Sequence, residues 1–377
     1  MYIHHVVLRK VRMNLKHPFE TSFGSMQEKD FYIIEVTDDQ GNIGYGETVA
    51  FTKPWYTEET TDTIFYMLNN FLIDLLKGQN ISHPDEITKI LSPIRRNNMA
   101  KAALEGAIWD VYAKRNNQSL AEALGGEKST IDVGVSIGIE ENIDDLLQII
   151  ETYVQEGYKR IKLKIKPGKD INVLHNVREK FPTTPIMVDA NSAYTLDDIE
   201  VLKQLDQFNL MMIEQPLGQD DIMDHAQLQK ELQTPICLDE SIHSLKDAQM
   251  AIQLNSCKII NIKIGRVGGL TESRKIHDYC AAHGIDVWCG GMLESGIGRA
   301  HNIALTTLSS FTMPGDTSGS SRYWHKDIVT PEVTMDEGVI HVPTGSGIGY
   351  DIDHEALEEF TLSTKHFHLN ASHNDQK

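Results

Sequence analysis

Five residues able to do chemistry fall at an almost constant interval: Lys164, Asp189, Glu214, Asp239 and Lys263 are separated by 25, 25, 25 and 24 residues. Three acids brought to one point repel one another strongly, and a hard divalent cation with a preference for oxygen relieves that repulsion. Magnesium is the natural ion, with manganese able to substitute. Lys162 and Lys164 stand two apart, so a strand turns both to the same face. Two ammonium groups on the inner face of a barrel are costly unless anions or a function keep them there. A second ammonium and a cation beside Lys164 favour its neutral form, which a general base needs. Lys263 reaches the same centre from the other side. Such a set suits removal of the proton alpha to a carboxylate, a very weak acid whose enediolate must be stabilised electrostatically. The metal supplies that as a Lewis acid holding the carboxylate oxygens. One lysine takes the proton, and the other returns it on the opposite face or steadies the intermediate while a leaving group departs.

Singly, these residues have plainer explanations. Asp239-Glu240-Ser241 suits the start of a helix, and an isolated Lys-x-Lys suits a solvated edge strand. With Ile161, Leu163 and Ile165 around the lysines and three acids in phase, those explanations fail together.

The elements that must position the residues follow from the same interval. After Gly125-Gly126, β-branched runs alternate with amphipathic segments. The runs are Val133 to Ile139, Arg160 to Ile165, Pro185 to Ala190, Leu210 to Glu214, Ile236 to Asp239, Ile259 to Ile264, Asp286 to Gly290 and, more weakly, Phe311 to Met313. Helical spacing occupies Ile143 to Glu156, Leu196 to Phe208 and Leu270 to His283, and strand followed by helix implies a parallel sheet. Ser136 lies 28 residues before Lys164, Gly291 lies 28 after Lys263, and Asp316 lies 25 after Gly291. Eight marks predict a closed (β/α) barrel with its chemistry at the C-terminal strand ends; an open sheet would spread them along a crevice. The first 60 or so residues read instead as strands and turns, with Phe31 to Val36 and Ile43 to Glu47 as a hairpin about Asp39-Gln40-Gly41-Asn42. Helical spacing over Glu58 to Leu76 and Asn98 to Lys114 completes a small α+β unit.

A formal net charge of −19 argues against nucleic acid or an anionic membrane as partner and favours a small substrate. His4, His5, Arg9, Lys10 and Arg12 interrupt Met1 to Leu15, which is therefore neither a secretory segment nor a membrane span. Cys237, Cys257, Cys280 and Cys289 show no CxxC spacing and suit reduced core thiols, which points to the cytoplasm.

The chain resembles the enolase superfamily in its muconate lactonizing enzyme subgroup. The motifs that carry this are Lys162-Leu-Lys164, Asp189-Ala-Asn191, Ile213-Glu214-Gln215-Pro216, Leu238-Asp239-Glu240-Ser241, Lys263, and Gly290-Gly291-Met292-Leu293-Glu294-Ser295-Gly296. Within the subgroup the likeness is to the o-succinylbenzoate synthase and N-succinylamino acid racemase branch. It runs over nearly the whole chain, including Pro18 to Gly24 and Met99 to Glu105. The resemblance implies a modified TIM barrel, (β/α)7β, over 127–319. An α+β capping domain over 1–126 would be completed by about 320–368, with 369–377 a frayed tail. It implies that Asp189, Glu214 and Asp239 bind Mg2+, supported by Asn191 and Glu240. Lys164 would abstract the alpha proton of 2-succinyl-6-hydroxy-2,4-cyclohexadiene-1-carboxylate and then help hydroxide leave, with Lys263 stabilising the intermediate. Racemisation of N-succinylamino acids uses the same five residues, and both alternatives stay open. A symmetric homo-oligomer is common among such barrels.

Substrate choice should lie in the capping loops, where Phe23, Phe51, Trp55 and Tyr56 offer an apolar lid or simply core packing. Ser136, Gly291, Met292 and Glu294 stand at or beside strand ends where they would touch or support the substrate. No histidine base replaces Lys263, unlike the mandelate racemase subgroup, and Asp316-Thr317-Ser318 lacks the Asp-x-Asp of many dipeptide epimerases. Gly134-Val-Ser136-Ile-Gly138 matches the GxSxG of serine hydrolases, yet apolar alternation continues through it where that elbow needs a sharp turn. Gly345-Ser-Gly347-Ile-Gly349 lacks the strand and helix of a dinucleotide loop. A non-catalytic protein on this barrel would have no use for both lysines and all three acids.

Overall fold

The structure is a computed structural model that describes residues 1–21 and 24–369. The chain opens with β1 (Ile3–Thr21), β2 (Gly24–Asp38) and β3 (Ile43–Glu47), joined antiparallel with Asp38 to Asn42 as the tight turn before β3. Alternation puts Val6, Leu8, Ile34 and Val36 on the buried face. The helix Asn98–Arg115 packs there, and β3 admits it closely. A Cβ on Gly46 would lie 2.0 Å from the carbonyl oxygen of Ala103. The helical spacing over Glu58 to Leu76 is realised in pieces: Thr61–Met67 is α-helical, Leu68–Leu72 a π turn and Ile73–Leu76 a 3-10 turn.

From residue 130 the strands are β4 (Thr130–Asp132), β5 (Gly134–Ile137), β6 (Arg160–Lys164), β7 (Ile186–Asp189), β8 (Ile213–Glu214), β9 (Ile236–Leu238), β10 (Ile259–Ile262) and β11 (Asp286–Cys289). β5 to β11 form one parallel sheet in chain order, each followed by helix. The segment expected as an eighth strand, Phe311 to Met313, is not one. The stretch from Phe311 to Gly315 closes the ring through single parallel bridges, Val287 to Phe311 and Val133 to Gly315, and Pro314 between them has no N–H to continue a ladder. The expected run from Val133 to Ile139 shortens to β5, which carries the barrel, while β4 just before it pairs antiparallel with β13 (Val339–His341). Residues alternate in orientation along each strand. Ile161, Leu163, Val188, Ile213, Leu238, Ile260 and Val287 meet the surrounding helices, whereas Met187, Met212, Cys237, Ile259 and Trp288 fill the barrel.

Beyond the barrel come β12 (Val329–Thr330), which pairs with β14 (Asp351–Ile352), and finally β15 (Thr361–His368). β15 adds antiparallel to β1, so the cap sheet runs β15-β1-β2-β3. Ile328, Val329, Val333, Ile340 and Ile348 join the apolar cluster that contains both the barrel strands' outer faces and Val11, Met13, Phe31 and Ile33 of the cap. Leu369 is buried, and its N–H donates to the His4 carbonyl. All four cysteines are free and buried.

Candidate active site

Parallel register places the acids side by side: Lys164 pairs with Asp189 and Asp189 with Glu214, while Asp239 follows directly on β9 and Lys263 on β10. The three acid-bearing strands thus lie between the two lysine-bearing ones. Lys164 Nζ donates to Asp189 Oδ2 at 2.6 Å and to Asn191 Oδ1 at 2.6 Å. Lys263 Nζ donates to Asp239 Oδ2 at 2.9 Å. Lys162, deeper by one inward step, reaches Asp316 at 2.9 Å, Glu214 at 3.2 Å and Asp189 at 3.7 Å. Burial works against charge on Lys162, but Asp316, Glu214 and Asp189 outweigh it and hold its pKa above the ordinary lysine value. Lys263 behaves alike, with Asp239 overcoming burial.

Burial and neighbouring acids nonetheless hold two of the carboxyls towards their neutral forms. Burial, then Asp189, pushes Glu214 up to about 7, and burial, then Asp239, pushes Glu240 up to about 8. Glu240 Oε2 and Asn261 Oδ1 are buried with no hydrogen-bond partner. All-oxygen donors and the unpartnered oxygens suit a hard divalent cation, while among the described residues the carboxylates are engaged by lysine and arginine and are not gathered as a ligand cluster. Asp189, Glu214 and Asp239 would hold it, with Asn191 and Glu240 beside them, where Asn191 Nδ2 donates to Glu240 Oε1 at 3.1 Å.

The pocket over this floor has an apolar end formed by Phe19, Phe51, Trp55, Ile137, Met292 and Leu293. Ser136, Gly291 and Asp316 also line it, as do both Lys162 and Lys164. Ser136 lies within β5 with no turn, and its hydroxyl donates to Asp316 Oδ2 at 3.2 Å, so it is not a hydrolase nucleophile. Glu294 turns away from the pocket to accept from Met292 N–H at 2.9 Å and Asn302 Nδ2 at 3.0 Å. Phe23 lies outside the described residues. Asp239-Glu240-Ser241 forms a turn, and the next helix begins only at Leu245.

Several site residues escaped the sequence reading. Arg266 is buried against Asp239 and Tyr56, donating to the Tyr56 hydroxyl at 2.9 Å. Tyr56 in turn donates to Asp239 Oδ1 at 3.0 Å and sits under Lys263 Nζ, 4.3 Å from the ring centre. The available signal for Arg266 was its place three residues after Lys263, the same side of one helical turn. Gln215 Oε1 accepts from Asp239 N–H at 3.0 Å, and Asn261 Nδ2 donates to Glu214 Oε1 at 2.8 Å. Asp316, marked only as a strand end, pairs with both Lys162 and Arg160.

Two family descriptions match the chain: mandelate racemase / muconate lactonizing enzyme, N-terminal domain, over residues 3–125, and enolase C-terminal domain-like, over 145–356. The chain belongs to the enolase superfamily. It is 59% identical to an o-succinylbenzoate synthase of Geobacillus stearothermophilus over 98% of this chain and 99% of that one. It is 44% identical to an N-succinylamino acid racemase of Thermus thermophilus over 96% and 98% of the two chains. A crystal structure of an enolase superfamily member from Listeria innocua, 49% identical, superposes with a TM-score of 0.96 over 98% of this chain and all of the other. The superfamily's fold, a modified (β/α)7β barrel with an α+β cap, is the fold of this chain. No helix among the described residues is long and apolar enough to cross a membrane.

Proposed function

We propose that this enolase superfamily member is an o-succinylbenzoate synthase. It dehydrates the small carboxylate 2-succinyl-6-hydroxy-2,4-cyclohexadiene-1-carboxylate to 2-succinylbenzoate, a step of menaquinone biosynthesis in the cytoplasm. The observation that carries the reading is the pair Lys164 and Lys263 on the two flanks of Asp189, Glu214 and Asp239, in a chain 59% identical to a synthase over its whole length. Mg2+, or Mn2+ in its place, would be held by the three acids and supply electrostatic stabilisation of the carboxylate and of the charge that develops on deprotonation.

The residues divide the remaining work. Lys164, as the free amine, takes the alpha proton, and the C–H electron pair passes into the substrate's carboxylate system. The ring C–O bond then breaks as those electrons return to form the aromatic ring. Lys164, now an ammonium, gives its proton to the departing hydroxide, which leaves as water, so the base is regenerated. Lys263 stays charged, as its contact with Asp239 favours, and faces the developing anion. The apolar lid of Phe19, Phe51 and Trp55 keeps water from the carbanion.

A second reading, racemisation of N-succinylamino acids alone or as an added activity, is favoured by the same two-sided lysine placement and by the racemase relatives. The test follows ultraviolet absorption as the cyclohexadiene is converted, with Mg2+ and with chelator, for the native protein and Lys164→Ala. Metal-dependent turnover that the variant lacks is the expected result. No turnover by the native protein overturns the synthase reading and leaves alpha-proton exchange of N-succinylamino acids in D2O to decide the second.

A further inference from the structure

One wall of the pocket is a loop: Gly291, Met292 and Leu293 line it between β11 and the helix that begins at Gly296. The wall runs directly into the lysine site, since a Cβ on Gly290 would lie 2.6 Å from Lys263 Cε. Leu293 has φ of +59°, a left-handed backbone that a leucine holds only where its surroundings enforce it. The enforcing contacts come largely from the cap. Lys29 of β2 is 1% exposed, and its Nζ donates to the carbonyls of Met292 at 3.0 Å and Leu293 at 2.7 Å. Glu47 of β3 lies 3.9 Å from the same ammonium. It accepts from Ser295 N–H at 2.9 Å, the Ser295 hydroxyl at 2.6 Å and Gly298 N–H at 2.9 Å. The Met292 side chain belongs to the cap's apolar cluster.

Nothing in sheet packing alone requires a lysine at this place. Burial disfavours its charged form, with Glu47 and Glu294 offsetting that only in part, and an apolar side chain would fill the space without the desolvation cost. What the ammonium supplies that an apolar group cannot is a pair of donors for two consecutive carbonyls of the pocket wall.

We propose that Lys29 is a positioning residue for substrate selection. By holding the Met292 and Leu293 carbonyls from the cap, it sets where the Gly291–Leu293 wall stands beside Lys263. It thereby fixes the space open to the part of the substrate remote from the reacting carboxylate. The substrate side of this inference rests on the function proposed above, while the loop side does not.

The test compares native protein with Lys29→Met, and, should the methionine variant fail to fold, with Lys29→Gln, whose shorter amide keeps N–H donors but carries no charge. Hydrogen–deuterium exchange of the peptide over 290–298 needs no substrate and reads the loop directly. Exchange there should quicken on the order of tenfold while peptides of the helix Asn98–Arg115 stay unchanged. With the cyclohexadiene carboxylate and with an N-succinylamino acid, KM should rise on the order of tenfold and kcat change less than about threefold. The KM ratio of the two substrates should also move. Unchanged loop exchange overturns the proposal, and so does faster exchange with both substrates' KM and kcat at native values. If the native protein turns over neither substrate, the proposed function fails, and the exchange measurement alone decides whether Lys29 holds the wall.

Discussion

Asp316 stands where two buried cations meet, and removing its charge without changing its shape is the sharpest test of how the barrel interior balances. Its carboxylate takes Arg160 Nη2 at 2.8 Å on one oxygen and Lys162 Nζ at 2.9 Å on the other, with side-chain exposures of 11%, 1% and 5% for Asp316, Arg160 and Lys162. Burial opposes ionisation of Asp316, but Arg160 and Lys162 hold its pKa well below the usual carboxylate range. Breaking a buried pair from one side costs about 3–5 kcal/mol, because the remaining charge keeps its desolvation penalty. The lower end applies here. Lys162 keeps Glu214 and Asp189, and Arg160 keeps the Pro314 carbonyl at 3.0 Å and the face of Trp288 at 4.9 Å. Asp316→Asn should therefore lose about 3 kcal/mol, a fall in Tm of about 6 °C at roughly 2 °C per kcal/mol for a chain of this size. Arg160→Met with Asp316→Asn completes a cycle, and the double variant should recover about 2 kcal/mol relative to the sum of the singles. Urea denaturation with Mg2+ absent throughout measures all four proteins. A loss under about 1 kcal/mol for Asp316→Asn, or additivity within about 0.5 kcal/mol, would refute the reasoning.

The cap carries a second expectation: Gly46→Ala drives a methyl onto the Ala103 backbone carbonyl, which no side-chain rotation relieves. It should cost about 3 kcal/mol, and a thermal melt within 2 °C of native would contradict the close packing. A third concerns His301, whose folded pKa burial lowers to about 4 from an ordinary 6.5. The neutral ring is thus the folded form. Its contribution is fully present above pH 6.5 and is lost as pH falls from 6.5 towards 4, by roughly 3 kcal/mol at 1.36 kcal/mol per unit. His301→Gln should flatten the pH dependence of stability in that window, read by denaturation at pH 7 and pH 4.5; an identical slope in both proteins would show that other groups cause it.

How far the sequence could be read depended on the range of the interaction involved. The 25-residue interval of Lys164, Asp189, Glu214, Asp239 and Lys263 was visible because one strand, one helix and two turns consume a nearly fixed length of chain. The interval carried the parallel order and the inward direction with it. Strand alternation is equally local, so Phe31 to Val36 and Ile43 to Glu47 could be placed as a hairpin. Phe311 to Met313 could not, since a run as short as Phe-Thr-Met looks the same whether it forms a ladder or, as here, a single bridge.

Residues that work only through distant neighbours were out of reach. Lys29 meets Met292 and Leu293 across more than 260 positions, and Tyr56 meets Arg266 across 210. No periodicity connects such pairs, because the cap and the barrel dock as surfaces. By itself, then, the amino-acid sequence determined the βα repeat and the placing of three acids and two lysines at the ends of successive strands. The tertiary structure decided that Asp316 is bound to Arg160 and Lys162, that β15 completes the cap sheet, and that cap and pocket wall meet through Lys29. The charge contacts depend on which buried ion finds a partner once water is excluded, and the place of β15 depends on a backbone ladder between the two ends of the chain; both exist only after the chain has closed on itself.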